Sequence, residues 1–514
     1  MQKLEQTRGY RIRWIGLIFL SLSLFIIALD NTVLNLALPS ISSDLGASAS
    51  ELQWIVDAYV LVFASLLLTM GAISDRIGRK KVLLGGLVVF GLCSVGAALS
   101  MSTEMLIAMR ALMGVGGAII MPSTLSILTA TFREPKERAK AIALWAGTFP
   151  LGAGLGPLVG GWLLEHSEWS SVFYINIPIV IIAFCGGYYF LADSRDELVR
   201  RIDVPGALLS IAGLFALVYG IIQAGVDGWG AADVLYSFAA AAVLLGIFAW
   251  WELHSSHAML PLHFFKNMSF TGANLALTLV MFAMFGTMFF VSQYLQSVLG
   301  YSPLEAGVRM LPFAVIAFPA AVMSAPLAQR IGTKMTVGLG ILIAAAGQFY
   351  LSQVCEVDTA YSTLLVGLCI TALGMGMTMS PATNSIMGSV PVSKAGIGSA
   401  MNDTNRQVGG ALGVAVLGTI MNSTYISNIK ASPLVATLPE DLVKAIKNSI
   451  QSAHIAAQNI PDPGLSQSIV ELSSKAFTSG MVEGMLIGGI IMAVASIITM
   501  IILPSRIRPA SEEK

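Results

Sequence analysis

Apolar stretches of about twenty residues recur fourteen times along this chain, and they constrain its fold more than any other feature. A helix needs about 20 apolar residues to cross a bilayer. Only 11% of the residues are charged, whereas soluble domains have about 25%. We therefore predict an all-α polytopic membrane protein. Its segments, numbered in chain order, are 14–38, 52–72, 82–100, 104–128, 139–164, 171–192, 204–224, 233–252, 269–296, 304–328, 335–354, 362–386, 397–421 and 477–503.

Basic residues occur in alternate connections between these segments. The loops near 39–51, 101–103, 165–170, 225–232, 297–303 and 355–361 contain no Lys or Arg. The other short loops and the tail contain Arg76, Arg79, Lys80, Lys81, Arg133, Lys136, Arg138, Lys140, Arg195, Arg200, Arg201, Lys266, Arg330, Lys334, Lys394, Arg506 and Arg508. Positive loops stay inside, so we place both termini in the cytoplasm and the chain in the cell membrane. The long loop of about 422–476 then faces outside, with a short amphipathic helix starting near Pro439 and no readable function.

Neither the first segment nor the cysteines indicate a secreted or metal-binding protein. Segment 14–38 is longer than the apolar region of a cleaved signal peptide, so we expect a retained first helix. The cysteines fall in or beside apolar segments, and we interpret them as small packing residues. They are Cys93, Cys185, Cys355 and Cys369. The spacing suggests no metal site or cofactor, and a net charge of zero gives no indication of nucleic-acid binding.

A basic turn is repeated about half a chain apart. Ser74-Asp-Arg-Ile-Gly-Arg-Lys80 follows the second segment, and Ala328-Gln-Arg-Ile-Gly-Thr-Lys334 follows the tenth. Parallel repeats with a substrate site between them are a known transporter architecture. We expect three regions: an N-terminal six-helix bundle at 1–192, a cytoplasmic linker with two inserted helices at 193–265, and a C-terminal six-helix bundle at 266–514.

An aspartate lies well inside the first apolar segment, where a charge is costly and is by default a functional hypothesis. At about 1.5 Å per residue, Asp30 lies about 12 Å, Arg110 about 9 Å and Asp57 about 8 Å from the predicted outer helix ends. An arginine at this depth needs an acidic partner, so we expect Arg110 to contact Asp30 directly or through water. The alternative is that Arg110 binds backbone carbonyls or extends outward. We assign Asp30, Asp57 and Arg110 to a site that handles protons, cations or both.

The turn after the second segment combines two glycines with a carboxylate. Gly71 and Gly78 permit close helix approach and a tight turn. Asp75 can pair with a neighbouring basic group or with the positive N-terminus of a facing helix. We predict that Gly71, Asp75, Arg76, Gly78 and Arg79 form a latch that holds one conformation and releases in the other. The alternative is a simple topology anchor.

The fifth segment is rich in small residues at short spacing. Gly152, Gly156, Gly160 and Gly161 permit close packing of membrane helices, and Pro157 removes one backbone hydrogen bond. The glycines alone are also typical of generic helix packing.

Further polar and aromatic side chains are assigned to a cavity in which aromatic faces would bind planar cations. This set comprises Trp54, Tyr59, Phe149, Phe285, Gln293, Tyr294, Asn402, Asp403 and Arg406. Individually, each aromatic residue is more typical of packing. Asp403 and Arg406 are three residues apart, so they can also pair with each other. The sequence gives no role to Glu483.

Together these motifs resemble the major facilitator superfamily, specifically its fourteen-helix drug:proton antiporters, over nearly the whole chain. The matching stretches are Leu29–Pro39, Gly71–Lys81, Arg110–Gly117, Gly152–Gly161, Ser292–Gln296 with Gly300–Gly307, and Asn402–Gly410. The resemblance implies the major facilitator fold, a proton-transfer role for the Arg110 motif and an antiporter motif at Gly152–Gly161. The second basic turn departs from the pattern because Gln329 stands where the first copy has Asp75.

The resemblance implies export of amphipathic, often cationic compounds in exchange for protons. We also expect the protein to be a monomer and not an enzyme. An exporter of one antibiotic class such as tetracycline, or of a metabolite, is an alternative on the same fold. A membrane receptor without transport is an alternative of another class, and Asp30 and the fifth-segment motif argue against it. The sequence does not identify the substrate or the proton stoichiometry.

Overall fold

The computed structural model describes residues 12–47, 49–194, 203–255 and 260–506. Within these ranges, fourteen helices are long and apolar enough to cross a membrane, which confirms the predicted segments. The helices are α1 Arg13–Leu45, α2 Ala49–Ile77, α3 Arg79–Ala98, α4 Thr103–Thr131, α5 Pro135–His166, α6 Ser171–Phe190, α7 Val204–Asp227, α8 Ala232–His254, α9 Met268–Gln293, α10 Pro303–Ile331, α11 Thr333–Val354, α12 Tyr361–Gly388, α13 Ala395–Ala431, α14 Glu440–Asn448, α15 Ile450–Gln458 and α16 Pro463–Ile502. Only α14 and α15 are too short to span.

The last two spans extend beyond their predicted ends. Helix α13 continues to Ala431, and α16 begins at Pro463 and has 40 residues. A helix of that length is about 60 Å long, twice the hydrocarbon thickness of about 30 Å. The apolar stretch of such a helix ends where polar residues begin. The helix itself continues, because its backbone hydrogen bonds do not require apolar side chains. Most of the predicted outside loop is therefore helical, and α14 carries Glu440 and Asp441 in its first turn, as expected for a helix starting near Pro439.

Contacts between the spans divide them into two sets. In the first bundle, α1–α6, helix α1 packs on α5 and α6, and α4 packs on α2 and α3. In the second bundle, α9–α13 with α16, helix α11 packs on α12 and α16, and α13 packs on α9 and α16. The bundles meet where α13 contacts α2 and α4, and where α5 contacts α10 and α12. Helix α7 packs on α2 and α13, and α8 packs chiefly on α7.

Large apolar side chains are exposed around the outside of the helices. Examples are Leu92, Val243, Trp250 and Ile501, of which Ile501 is 73% exposed. In water such a surface would be unfavourable, whereas lipid tails are as apolar as leucine. The exposed surface therefore matches a protein that is solvated by a bilayer.

The two repeated turns have the same backbone conformation. Gly78 between α2 and α3 has φ 121°, and Gly332 between α10 and α11 has φ 89°. Both values lie in the region that favours glycine. We call the end of the molecule that carries these turns, together with the α4–α5 turn, the basic end. The predicted loop residues Arg195, Arg200 and Arg201, and the tail residue Arg508, lie outside the described residues.

Candidate functional site

Asp30 of α1 is buried, and both of its carboxylate oxygens are engaged by side chains from other helices. Arg110 of α4 donates from Nη1 to Asp30 Oδ2 at 2.6 Å. Asn176 of α6 donates from Nδ2 to Oδ1 at 2.8 Å. Asp30 is 3% exposed and Arg110 is 1% exposed. The contact predicted between Asp30 and Arg110 is thus present as a direct, buried ion pair.

The second partner, Asn176, was not found by the sequence analysis. Its amide also donates to Ser94 Oγ of α3 at 3.1 Å, so three helices fix its position beside the carboxylate. Asn176 stands at the start of the main helical part of α6, in the stretch Ile175-Asn176-Ile177-Pro178. A buried asparagine within an apolar segment is the only signal that the sequence offers, and it does not identify the partner.

Arg110 is held by more than the carboxylate. Its Nε donates to the Ile55 carbonyl at 3.1 Å, and its guanidinium lies 4.4 Å from the ring centroid of Tyr59. The Tyr59 side chain, predicted to line the cavity, is fully buried in this cluster instead. Asp57 lies on α2, as Tyr59 does, and forms no ion pair with Arg110 in the described residues. The structure therefore brings together Asp30 and Arg110, but not Asp57.

Glycines of α5 bring α1 close to α5 and so position Asp30. A Cβ at Gly156 would overlap Thr32 Oγ1 on α1, and a Cβ at Gly152 would lie 2.8 Å from Ala28 Cβ. On another face, the Cβ of Pro157 would lie 2.7 Å from a Cβ added at Gly307 of α10. The small residues predicted as an antiporter motif thus pack α5 against α1 in its own bundle and against α10 in the other.

The predicted latch joins the two bundles at the basic end. Asp75 accepts hydrogen bonds from the backbone N–H groups of Gly396 at 2.8 Å and Ile397 at 3.4 Å, at the N-terminus of α13. It also pairs with Arg79 at 2.6 Å, and Arg79 Nη2 donates to the Val392 carbonyl at 2.6 Å. Both partners foreseen for Asp75, a basic group and a facing helix N-terminus, are therefore present.

Close backbone approach makes this contact possible. A Cβ at Gly71 would overlap the Gly396 carbonyl oxygen on α13. Arg76, by contrast, is exposed and forms no ion pair in the described residues. The contact between the bundles depends on Gly71, Asp75 and Arg79 together with the Gly78 turn, and not on Arg76.

Arg406 forms a second contact between the bundles. Its guanidinium lies 5.3 Å from the ring of Trp145 on α5, and Trp145 Nε1 donates to Thr124 Oγ1 of α4 at 3.2 Å. Arg406 Nη2 also donates to Thr383 of α12 at 3.3 Å. The polar side chains of α13 thus reach the first bundle through one buried tryptophan.

The local contact that the spacing of Asp403 and Arg406 allowed is not an ion pair in this structure. No ion pair joins them in the described residues; Asp403 accepts from Asn402 at 2.9 Å instead. Asp403 Oδ2 and the Arg406 atoms Nε and Nη1 are buried without a hydrogen-bond partner. The spacing permits a pair, but Trp145 and Thr383 hold the guanidinium elsewhere.

The other residues assigned to the cavity have different surroundings. The prediction that Tyr294 lines the cavity is corrected, because its side chain is fully buried and its hydroxyl donates to the Glu356 carbonyl. Gln293 bonds Gln451 of α15, at the end opposite the basic end. Trp54 is 39% exposed beside Tyr219 of α7. Phe149 is buried, and Phe285 packs against Gly410 where α9 meets α13. Phe149 and Phe285 pack in the same apolar core as Tyr59, whereas Trp54, Gln293 and Tyr294 do not belong to it.

Comparisons with known proteins agree on family and fold. The family model of the Major Facilitator Superfamily matches residues 20–414. The chain is 36% identical to the "Multidrug efflux pump LfrA" of Mycolicibacterium smegmatis, covering 95% of this chain and 96% of that protein. It is 31% identical to the "Tetracenomycin C resistance and export protein" of Streptomyces glaucescens, covering 95% and 91%. It is 32% identical to the "Methyl viologen resistance protein SmvA" of Salmonella typhimurium, covering 90% and 93%.

Two solved structures show the same fold at low sequence identity. The human organic anion transporter MFSD10 superposes with a TM-score of 0.60 at 14% identity, covering 95% of this chain and 100% of that one. The proton:xylose symporter XylE gives a TM-score of 0.60 at 14% identity, covering 96% of each chain.

Proposed function

The chain belongs to the Major Facilitator Superfamily, and on that premise we propose that it is a proton-coupled antiporter that exports amphipathic cationic compounds across the cell membrane. The similar proteins are multidrug and antibiotic efflux pumps, which supports export. The buried ion pair between Asp30 and Arg110 carries the proposal for proton coupling. We also propose that the protein functions as a monomer and that both of its termini lie in the cytoplasm.

Asp30 is suited to exchange a proton because its carboxylate is buried away from water and its negative charge is balanced by Arg110. A buried carboxylate is stable when a cation or hydrogen-bond donors accompany it, and when these leave it binds a proton instead. In this structure Arg110 is the cation, with its Nη1 2.6 Å from Asp30 Oδ2. We propose that Asp30 takes up a proton when Arg110 moves away, and releases it when Arg110 or a cationic substrate returns.

The two bundles provide the alternation that such exchange needs. The Asp75 contact joins them at the basic end, and the Arg406–Trp145 contact joins them about 15 Å further along α5 and α13. Together these contacts support a state closed on the proposed cytoplasmic side. Separation of these contacts would open that side to the substrate. Each proton that moves inward gains about 2.3 kcal/mol per 100 mV of membrane potential, which offsets the cost of moving one positive charge of the substrate outward. The pH gradient, or a further proton, then drives export without ATP.

Proton release on substrate binding tests the proposal. Purified protein in weakly buffered solution, with a pH-sensitive dye, is mixed with ethidium or a quaternary ammonium compound. We expect proton release and, in reconstituted vesicles, efflux driven by a pH gradient. Asp30→Asn should abolish both while still reaching the membrane, because its amide cannot titrate. Asp30→Glu should retain part of each.

Glu104→Gln is the matched control, since Glu104 is an exposed acid at the start of the helix that carries Arg110. It should behave as wild type. Full, pH-gradient-driven efflux by Asp30→Asn would contradict the role of Asp30. Substrate movement without proton release in wild type would contradict antiport.

A narrow substrate range is the second candidate, because the name of one similar protein specifies a single compound, tetracenomycin C. A panel of dyes, biocides and antibiotics separates the two candidates. Efflux of several unrelated cations supports multidrug export, and efflux of one antibiotic class supports the narrow exporter. Absence of efflux and of substrate binding would support the receptor alternative.

A further inference from the structure

A cavity of about 440 Å³ lies at the basic end, apart from the Asp30 cluster. The start of α5 lines it from the first bundle, and α10, α11, α12 and the segment after α16 line it from the second. Three of its lining residues are charged, and all three are basic: Lys136, Arg330 and Arg506. The cavity is therefore a positively charged space that both bundles share.

Among the residues that the structure describes, the three cations have no acidic partner. In the part of the chain that the structure describes, none of them forms an ion pair or a side-chain hydrogen bond. Arg506 is held near the other two because the Ser505 carbonyl accepts a hydrogen bond from Thr333 N–H at 2.9 Å, which fixes the chain after α16 on the α10–α11 turn. All three side chains are exposed, so water and salt screen part of their mutual repulsion, and an anion between them would offset the remainder.

Buried polar atoms at the cavity also lack partners. Ser380 of α12 lines the cavity, is 1% exposed, and its hydroxyl has no hydrogen-bond partner. Asn384, one turn later on the same helix, also lines it, and its Oδ1 is unpartnered. Buried polar groups are normally hydrogen-bonded. Rotation of the Asn384 amide would present its NH₂ to the same space, because the two orientations differ only in the exchange of O and N.

We propose that this cavity binds a phosphate-bearing anion across the two bundles. Arginine matches phosphate in charge and in the spacing of its donors, lysine adds a point charge, and the Ser380 hydroxyl supplies a neutral donor. Lys136 contributes from the first bundle, and Arg330 and Arg506 from the second. The bound anion replaces repulsion with attraction between them and so stabilises the closed basic end. Free inorganic phosphate and a phospholipid headgroup share the required chemistry.

Binding itself is independent of the proposed transport function; only its effect on alternation rests on that function. Equilibrium dialysis of purified protein against radiolabelled inorganic phosphate, in chloride buffer and neutral detergent, therefore tests binding without any transport assay. We expect saturable binding of about one phosphate per chain. The double variant Arg330→Gln/Arg506→Gln should weaken it at least tenfold, and Ser380→Ala should weaken it severalfold.

Lys334→Gln is the matched control, because Lys334 belongs to the same basic turn but does not line the cavity. It should bind phosphate as wild type does. Absence of saturable binding, or equal loss in Lys334→Gln and the double variant, would overturn the proposal.

A lipid arm distinguishes the two sources of phosphate. The same dialysis is done with protein in nanodiscs of phosphatidylcholine alone or with phosphatidylglycerol. If a headgroup occupies the site, phosphate binding should fall at least tenfold in the nanodiscs that contain phosphatidylglycerol. This fall should be seen only in protein with Arg330 and Arg506 intact. Equal binding in both nanodiscs supports the site with free phosphate as its occupant.

Discussion

At Asp30, each carboxylate oxygen has its own donor, and the two donors come from different helices. Arg110 supplies charge and Asn176 supplies a neutral hydrogen bond, itself fixed by Ser94. A hydrogen bond to a charged group contributes about 1.5–3 kcal/mol, and leaving the charged partner unsatisfied costs at least as much. Asn176 is therefore a positioning residue for Asp30 in the proposed mechanism.

Replacement of Asn176 by alanine should slow transport about tenfold without preventing membrane insertion, because Asp30 loses one of its two partners. The measurement is the initial rate of ethidium efflux from inverted vesicles, with membrane protein quantified in parallel. Asn35→Ala is the control, since Asn35 is exposed on α1 and bonds only the backbone of its own helix. If the two variants transport equally fast, Asn176 does not position the carboxylate.

The sequence predicted the Asp30–Arg110 contact for two physical reasons. The rise per residue converts position in a helix into depth, and a charge at depth requires a partner. Asn176 could not be predicted in this way, because a neutral amide does not require a charged partner. The spacing of Asp403 and Arg406 likewise allowed a pair without requiring one, because the choice among neighbours such as Trp145 depends on tertiary packing.

Among the helices, the break between α2 and α3 has the clearest mechanical role. Asp75 lies in the last turn of α2 and accepts hydrogen bonds from backbone N–H groups in the first turn of α13. A carboxylate at a helix N-terminus contributes about 0.3–1 kcal/mol when exposed and up to about 2 kcal/mol when partly buried. The Asp75 carboxylate is thus one of the contacts that join the two bundles.

Asp75→Asn should increase the population with an open basic end by about tenfold, since an amide NH₂ faces N–H donors and Arg79 loses its partner. Electron–electron distance measurements between spin labels at Ile77 and Val392, both exposed at this end, would show a new longer distance. The reference is Arg76→Gln, which alters an exposed charge outside the contact. A distance distribution that is unchanged in Asp75→Asn, or changed equally in Arg76→Gln, would contradict the latch.

A histidine makes the packing of α15 on α16 sensitive to pH. Burial lowers the pKa of His454 below its ordinary value of 6.5, and His454 Nε2 lies 3.5 Å from Ser474 Oγ of α16. Below about pH 6.5 the unfolded segment binds a proton that the folded one resists, so the stability of this packing falls as the pH falls.

Hydrogen exchange of α15 should therefore be faster at about pH 5.5 than at about pH 7.5, after correction for intrinsic rates. His454→Gln should remove this difference, whereas His166→Gln, at an exposed histidine elsewhere, should keep it. A pH effect that persists in His454→Gln would assign it to another group.

The number of helices was predictable, and their ends were less so. Apolar length sets the number of crossings, because each crossing must bury about 20 residues in lipid. The extensions of α13 and α16 contain too few apolar residues for a membrane span, although Tyr425, Ile429 and Ile469 in them are buried, so the sequence assigned them to a loop. The repeated turns were predictable because Gly78 and Gly332 both need a left-handed backbone, which the two sequence copies share.

For the whole molecule, the side of the membrane at which the basic end lies is a prediction from loop charge. We expect Lys81→Cys, in a chain whose four native cysteines are replaced by serine, to be unreactive toward an impermeant maleimide on intact cells. Asn459→Cys, between α15 and α16, should react readily. Both should react after the membrane is disrupted. Labelling in the reverse pattern would mean that the chain is inserted the other way.

How the bundles meet could not be predicted from the sequence. The repeat indicated two halves, but the contacts of Asp75 with Gly396 and of Arg406 with Trp145 join residues far apart in the chain. No local pattern encodes which helix faces which across such distances. The basic cavity arises in the same way, because its three cations come from separate segments.

Asp30, Arg110, Asn176, Ser94 and Tyr59 all belong to α1–α6. The Asp30–Arg110 pair, which would bind and release the proton, therefore lies entirely in the first half of the polypeptide. Under our proposal, the other half is free to diverge in evolution and acquire a new cargo without losing its energy source. A chimera that joins α1–α6 of this chain to the later helices of a similar pump should then keep its ion dependence while inheriting the other parent's spectrum of resistance.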